Sequence, residues 1–186
     1  MKSYDELKEL NIIKTKSRLI LTNKVPNDLI SHSGDTYKWL WLPSCDVKRL
    51  LDVRNSEHVL SNMRNTLPIT EEAHLAFLQK YDSLQRLDFI LQHHDSGAYV
   101  GGIKISLTYY GFEIGKYIGN EKFLGKGLAY PMSNLFIDFI KKNLKEIEKI
   151  SAVTKLNNYK NINLNFKLGF KIIKLVEEDH WLRDLQ

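Results

Sequence analysis

The sequence predicts an α+β domain: a strongly twisted, mixed sheet of about six or seven strands carrying helices on both faces. Three observations predict it. Residues 87–118 read as strands joined by tight turns, an antiparallel meander. A glycine-containing loop then opens the most periodic helix of the chain, with Leu128, Met132, Leu135, Phe136, Phe139 and Ile140 on one face. From the last meander strand onward the order is strand, loop, helix, strand, helix, strand.

The elements follow in order. Residues 1–36 are polar and read as an unassigned N-terminal extension, in which 17–22 could form a strand. Pro26-Asn27-Asp28 and Ser33-Gly34-Asp35 read as turns. Residues 37–186 read as a single domain. An aromatic-rich strand over 37–42 is closed by Pro43. Asp46 caps a helix carrying Val47, Leu50, Leu51 and Val53, which continues or restarts through Val59, Leu60 and Met63. Thr70 caps another, with Glu71 and Glu72 at its positive end and Ala73, Phe77, Leu78 and Tyr81 as its apolar face. His74 lies on the same stripe. Residues 87–91 form a strand, Asp95-Ser96-Gly97 turns the chain into a long strand over 98–109, and Gly111 turns it into 112–118. Beyond the periodic helix come a strand over 147–153, a short helix over 161–167, a strand over 170–176 and a last strand around Trp181.

Composition bounds the function. With 186 residues, 43% hydrophobic and 26% charged, the chain can bury a core and is not a low-complexity or disordered polymer. No apolar window is long enough for a transmembrane helix, and the first residues lack the apolar core of a signal peptide. Lone Cys45 excludes a disulfide framework and a thiolate-rich zinc site. These features point to a cytoplasmic protein with no membrane partner. The net charge of +5 is uneven: residues 141–174 hold nine lysines against two glutamates. That excess reads either as solvated lysines or as a patch for a polyphosphate. The lysines come singly or in pairs and without arginines, so no nucleic-acid partner is expected. A monomer or a homodimer is compatible with the sequence.

The segment Lys122-Phe123-Leu124-Gly125-Lys126-Gly127-Leu128-Ala129 lies between a strand and the best helix. Two positions without side chains let backbone N–H groups approach an anion, and the helix adds its first-turn N–H groups and dipole. It is neither a Walker loop nor a dinucleotide fingerprint, since GxxxxGK[ST] and the third glycine are both absent. A second element runs from Asn158 to Gly169, where the glycine stops a short helix. By itself it reads as a polar turn and a surface helix.

Together, these two elements resemble the GNAT acetyltransferase superfamily. Gly125 and Gly127 are similar to motif A, Q/R-x-x-G-x-G/A, with Lys122 in the Q/R place. Glu113-Ile114-Gly115-Lys116-Tyr117-Ile118 resembles the family's fourth strand. Asn158 with Lys167-Leu168-Gly169-Phe170 is similar to motif B, N-x-x-S-x-x-x-Y-x-K-L-G-F. The resemblance spans residues 98–176. It implies acetyl-CoA as cosubstrate, with no metal. The pyrophosphate would sit on Phe123, Leu124, Gly125, Lys126, Gly127 and Leu128, with Asn158 nearby. The pantetheine would lie between splayed strands and pair with backbone near Ile118. The lysine excess would suit the anionic coenzyme. Many members have a tyrosine acid in motif B; Asn165 stands there. Tyr159 or a water would then serve, or the thiolate would leave unassisted, or the chain would be an inactive CoA-binding module.

The resemblance also assigns the remaining chemistry. Glu113 becomes the candidate base, on the strand flanking the thioester and on one face with Gly115 and Tyr117. Cys45 is far in sequence from that strand, so direct attack by a small-molecule amine is expected. His74 is read as lining the acceptor site, and His93 and His94 as exposed hairpin residues. Arg54-Asn55, Met63 and Ile69-Thr70…His74…Phe77 resemble a pattern in the amino-sugar N-acetyltransferases of the pseudaminic acid pathway and their relatives. That implies a nucleotide-linked amino sugar as acceptor, with Arg54 pairing to a phosphate. The alternative acceptor is a protein N-terminus, since ribosomal-protein acetyltransferases share the E-I-G-x-x-I strand.

Overall fold

The computed structural model describes residues 12–109, 111–176 and 180–184. A sheet of eight strands runs through it in the order β1-β2-β3-β4-β5-β6-β8-β7. The strands are β1 (Leu29–Ile30), β2 (Thr36–Trp41), β3 (Arg86–His93), β4 (Tyr99–Thr108), β5 (Gly111–Ile118), β6 (Ser151–Lys155), β7 (Lys171–Val176) and β8 (His180–Asp184). The helices are α1 (Ile12–Leu21), α2 (Val47–Arg54), α3 (Glu57–Leu60), α4 (Glu71–Lys80), α5 (Ala129–Asn143) and α6 (Tyr159–Lys167). The fold is mixed α+β, as the sequence predicts, with two-residue β1 extending the sheet beyond the expected strands.

Alternation along the central strands divides the core into two layers. Leu87, Phe89 and Leu91 of β3, Ile103 and Ile105 of β4, and Phe112 and Ile114 of β5 face one cluster. That cluster takes Met132, Phe136, Phe139 and Ile140 from α5 and Ile12 and Leu19 from α1. Phe89 sits at its centre, with ring centroids of Trp41, Phe139 and Phe136 at 4.3, 5.5 and 5.9 Å. Ile90 and Tyr99 face the opposite cluster, with Leu50 and Val53 of α2 and, at its edge, Phe77 and Leu78 of α4. Helices thus cover both faces.

One expectation at the N-terminal end changes. Residues 17–22 do not form a strand; 17–21 close α1 and Thr22 begins the turn after it. Ile12, Lys16 and Leu19, spaced four and three apart, are its buried residues, while Leu21 is exposed. That is helical spacing, and an apolar run as short as 19–21 cannot by itself separate helix from strand. Within the stretch read as an unassigned extension, Ile12, Leu19 and Leu29 join the main core. Lys16 is fully buried, and its ammonium donates to the carbonyls of Tyr81 and Leu84 at 2.6 and 2.7 Å. Residues 1–11 lie outside the described residues.

The feature that makes a site is the junction of β5 and β6. All other neighbouring strands pair antiparallel; these two run parallel and share, among the described residues, one register pair, Glu113↔Ser151. Beyond it toward Ile118 and Lys155 the strands separate, and a gap opens in the middle of the sheet.

Candidate functional site

A cleft of about 1060 Å³ occupies this gap. Both faces of β5 line it: Ile114, Lys116 and Ile118 from the α5 side, Glu113, Gly115 and Tyr117 from the α2–α4 side. The cleft therefore passes through the sheet.

On the α5 side lies the glycine loop. Phe123 is buried and anchors it; Leu124 is half-exposed at its tip. Gly125 and Gly127 have φ of +75° and +72°, a region that favours glycine, and open space surrounds the position a Cβ would take at each. Asp46, Thr70 and Asn158 cap α2, α4 and α6 with side-chain oxygens. No side chain among the described residues caps α5. The first-turn N–H groups of the helix behind this loop are thus left without a side-chain acceptor, and a bound anion can use them. The residues present fit a pyrophosphate. Leu128 is buried and lines the cleft with the two glycines. Lys126 is not among the lining residues; its ammonium lies 5.0 Å from the Phe123 ring centroid. Asn158 lines the cleft, and its Oδ1 accepts from Asn161 N at 3.1 Å as the cap of α6. The carbonyl of Ile118, in the stretch expected to pair with pantetheine, is met at 2.9 Å by His58 Nε2.

On the α2–α4 side the floor is polar. Register places Asp88 of β3 beside Lys104 of β4, and Lys104 beside Gly115 of β5. The absent side chain of Gly115 leaves room for the Lys104 stem, whose Cε would stand 2.9 Å from a Cβ there. Burial holds Lys104 below the usual lysine range, and it donates to Ser106 Oγ at 3.0 Å. Asp88 is buried and carries a bidentate pair with Arg86. Glu113 is also buried, and its Oε2 accepts from Arg64 Nη2 at 2.8 Å.

Two groups on this side have buried atoms without a hydrogen-bond partner among the described residues: Arg54 Nη1 and His74 Nε2. Arg54 ends α2, where Gly119 lies so close to Val53 that a Cβ would meet the Val53 carbonyl oxygen at 2.0 Å. Its guanidinium sits 5.7 Å from the Tyr117 ring centroid, and burial pulls it below the ordinary arginine range. His74 is buried against Phe77, and desolvation lowers it below the ordinary histidine value against the opposing effect of Asp88. Both line the cleft.

Other expected residues fall elsewhere. Tyr159 is exposed, and neither it nor Asn165 lies among the cleft residues. Asn165 is fully buried, its Oδ1 accepting from Lys116 Nζ at 2.7 Å and its Nδ2 donating to Thr154 Oγ1 at 3.0 Å. Cys45 is buried away from the cleft with its thiol pushed up to about 12, chiefly by desolvation. His94 is exposed as expected, but His93 is half-buried against the Tyr37 and Phe123 rings, at 5.2 and 5.4 Å. Among the described residues no cluster of three or more His, Cys, Asp or Glu could hold a metal ion. No described helix is long and apolar enough to cross a membrane.

Cleft residues that escaped the sequence reading include His58, Arg64, Arg86, Asp88, Lys104 and Lys116. Alternation on β4 and β5 could have placed the two lysines. Nothing local marks the contacts of His58 and Arg64, which reach partners 60 and 49 positions away.

Comparison with known proteins supplies the remaining evidence. A family model described as "Acetyltransferase (GNAT) domain" matches residues 41–171. No curated protein matches. Among solved structures, the spermidine N-acetyltransferase from Vibrio cholerae in complex with CoA and spermine is similar, with a TM-score of 0.67, 17% identity, and coverage of 80% of this chain and 92% of that one. The Campylobacter jejuni N-acetyltransferase PseH gives 0.61 and 20%, covering 81% and 97%. The ribosomal-protein-S5-alanine acetyltransferase from Vibrio fischeri gives 0.60 and 18%, covering 80% and 92%.

Proposed function

This chain belongs to the GNAT acetyltransferase family and moves an acetyl group from acetyl-CoA to an amine; we propose that the amine is carried by an amino sugar linked to a nucleotide. The observation that carries the reading is the unpartnered, buried Nη1 of Arg54, in the same cleft as the carboxylates of Asp88 and Glu113. A guanidinium that has lost its water favours an anionic group such as a phosphate, whereas carboxylates favour an amine and hydroxyls. The resemblance of the 54–77 segment to amino-sugar acetyltransferases agrees with this.

Acetyl-CoA supplies an activated acyl thioester. Residues 125–128 and the start of α5 hold its anionic end through backbone N–H groups, those of Phe123 and Leu124 being already donated to the carbonyls of Asn120 and Glu121. Glu113 takes the proton that the attacking amine must lose, directly or through one water. Arg64 fixes the Glu113 carboxylate by one oxygen. His74, uncharged at neutral pH, lends its Nε2 to an acceptor hydroxyl. Acetyl passes directly to the amine, since the Cys45 thiol is buried and held protonated.

The test is an acceptor screen by mass spectrometry with three sets: nucleotide-linked amino sugars, the same sugars without nucleotide, and N-terminal peptides including ribosomal sequences. Acetylation confined to the first set supports the proposal. Preference for peptides would replace it with the protein N-terminus reading.

A further inference from the structure

We infer that Lys116 holds the negative charge that develops on the sulfur of coenzyme A as the acetyl group departs, doing so from a buried polar bridge that spans the gap between β5 and β6. The inference rests on the family's acetyl-CoA chemistry.

Three observations carry it. First, Lys116 lies on the α5 face of β5, on the same side as Ile114 and Ile118 and opposite Glu113, and lines the cleft where β5 and β6 separate. The two charged groups of the strand thus address opposite faces of the sheet. The carboxylate faces the side from which an amine must lose a proton; the ammonium faces the side of the glycine loop. Second, its position is held. Nζ donates at 2.7 Å to Asn165 Oδ1, and Asn165 Nδ2 donates at 3.0 Å to Thr154 Oγ1 on β6. Asn161 Nδ2 donates to the same hydroxyl at 2.9 Å. Asn165 and Thr154 are both buried, so the bridge is preorganised rather than assembled from solvent-exposed groups. Third, the motif-B stretch supplies no proton donor to the cleft: Tyr159 is exposed and outside it, and Asn165 is an amide spent on the bridge.

The chemistry balances without a proton donor. The amine nitrogen bonds to the acyl carbon, the carbon–sulfur bond breaks, and its electron pair stays on sulfur. The amine proton leaves toward Glu113. Ordinary ammonium groups hold their proton more tightly than thiols, at about 10.4 against about 8.5. Lys116 therefore stabilises a thiolate by charge, and solvent protonates the sulfur later. An amide at position 165 serves this arrangement because it accepts from the ammonium while carrying no charge that would compete with the thiolate.

The experiment titrates the thiol of coenzyme A bound to the intact protein, following thiolate absorbance in the ultraviolet, with desulfo-CoA as the blank. In the wild type the bound thiol should ionise about 1–3 pH units below free coenzyme A, the usual effect of an opposite charge within a few ångströms. Lys116→Gln, which keeps a donor for Asn165 but removes the charge, should return the value to that of free coenzyme A. It should also lower kcat by about 10²-fold with acetyl-CoA affinity retained. Lys116→Arg should restore most of both. A wild-type bound thiol that titrates like free coenzyme A overturns the inference without any variant, so a Lys116→Gln chain that fails to fold does not shield it. A depressed value that persists in folded Lys116→Gln also overturns it, leaving the bridge as a filler of the gap and α5 as the source of the shift.

Discussion

Gly125 holds a φ of +75° facing open cleft, so its lack of a side chain serves the approach of a ligand rather than internal packing. Gly125→Val should leave the fold in place at a strain cost of about 1–2 kcal/mol. It should raise the acetyl-CoA Kd by about tenfold or more, each tenfold being about 1.4 kcal/mol. Calorimetric binding equal to that of the wild type would remove the loop from the coenzyme site. His74 makes a second prediction. Its folded-state value lies below the ordinary 6.5, so the unfolded chain binds its proton first as pH falls. Stability should drop as pH decreases through 6.5 and level off below the folded-state value. Urea melts of His74→Gln across that window should show a shallower fall; parallel curves would mean that His74 is protonated as readily folded as unfolded. At this scale the sequence is informative where a residue type is forced by backbone geometry. Gly125 and Gly127 are visible because left-handed φ selects glycine, and Glu113 because strand alternation sets its face. Arg64 is not, because what defines it is a partner 49 residues away, and alternation sets the face of Lys116 without revealing its equally distant partner Asn165.

At the scale of elements, α1 shows what periodicity leaves open. Its apolar residues fall in two clusters, 12–13 and 19–21, and between them one position of its buried face is a lysine, which breaks the pattern a helix would otherwise display. Burial lowers Lys16 below the usual lysine range, and its ammonium is bound by two main-chain carbonyls at the end of α4. Lys16→Met should therefore destabilise by about 1–3 kcal/mol, because carbonyls of Tyr81 and Leu84 lose their donor while the apolar volume is kept. A chemical melt unchanged from the wild type would show that α1 is not tied to the domain through this contact. The elements with strong local signals were legible: Asp46 and Thr70, read as caps, accept from backbone N–H groups of α2 and α4, whereas the Asn158 cap of α6, a helix expected to start at 161, was not seen. The start of α5 carries no side-chain cap, and the feature that a helix predictor would count as a defect is the one that leaves donors for an anion.

For the whole molecule, the site turns on β5. It pairs along its length with β4 but meets β6 at one residue, so the sheet is continuous at Glu113 and open beyond it. The sequence could predict the helices on both faces and the meander, since both follow from local period. It could not by itself show the gap, which is an absence of pairing between strands more than thirty residues apart; only the family resemblance implied it. The gap lets one cleft be lined from both faces, with the glycine loop on one side and the polar floor of Asp88, Lys104 and Glu113 on the other. The most direct test of that division is the pH profile of kcat for Glu113→Gln. Acetyl-CoA affinity should be retained and kcat lowered by about 10²–10⁴-fold at neutral pH. The deficit should shrink as pH rises toward the amine's own range, near ~10 for lysine-like amines, because the acceptor then arrives already deprotonated. A Glu113→Gln variant that keeps wild-type kcat at neutral pH would contradict the account and reduce Glu113 to an anchor for Arg64.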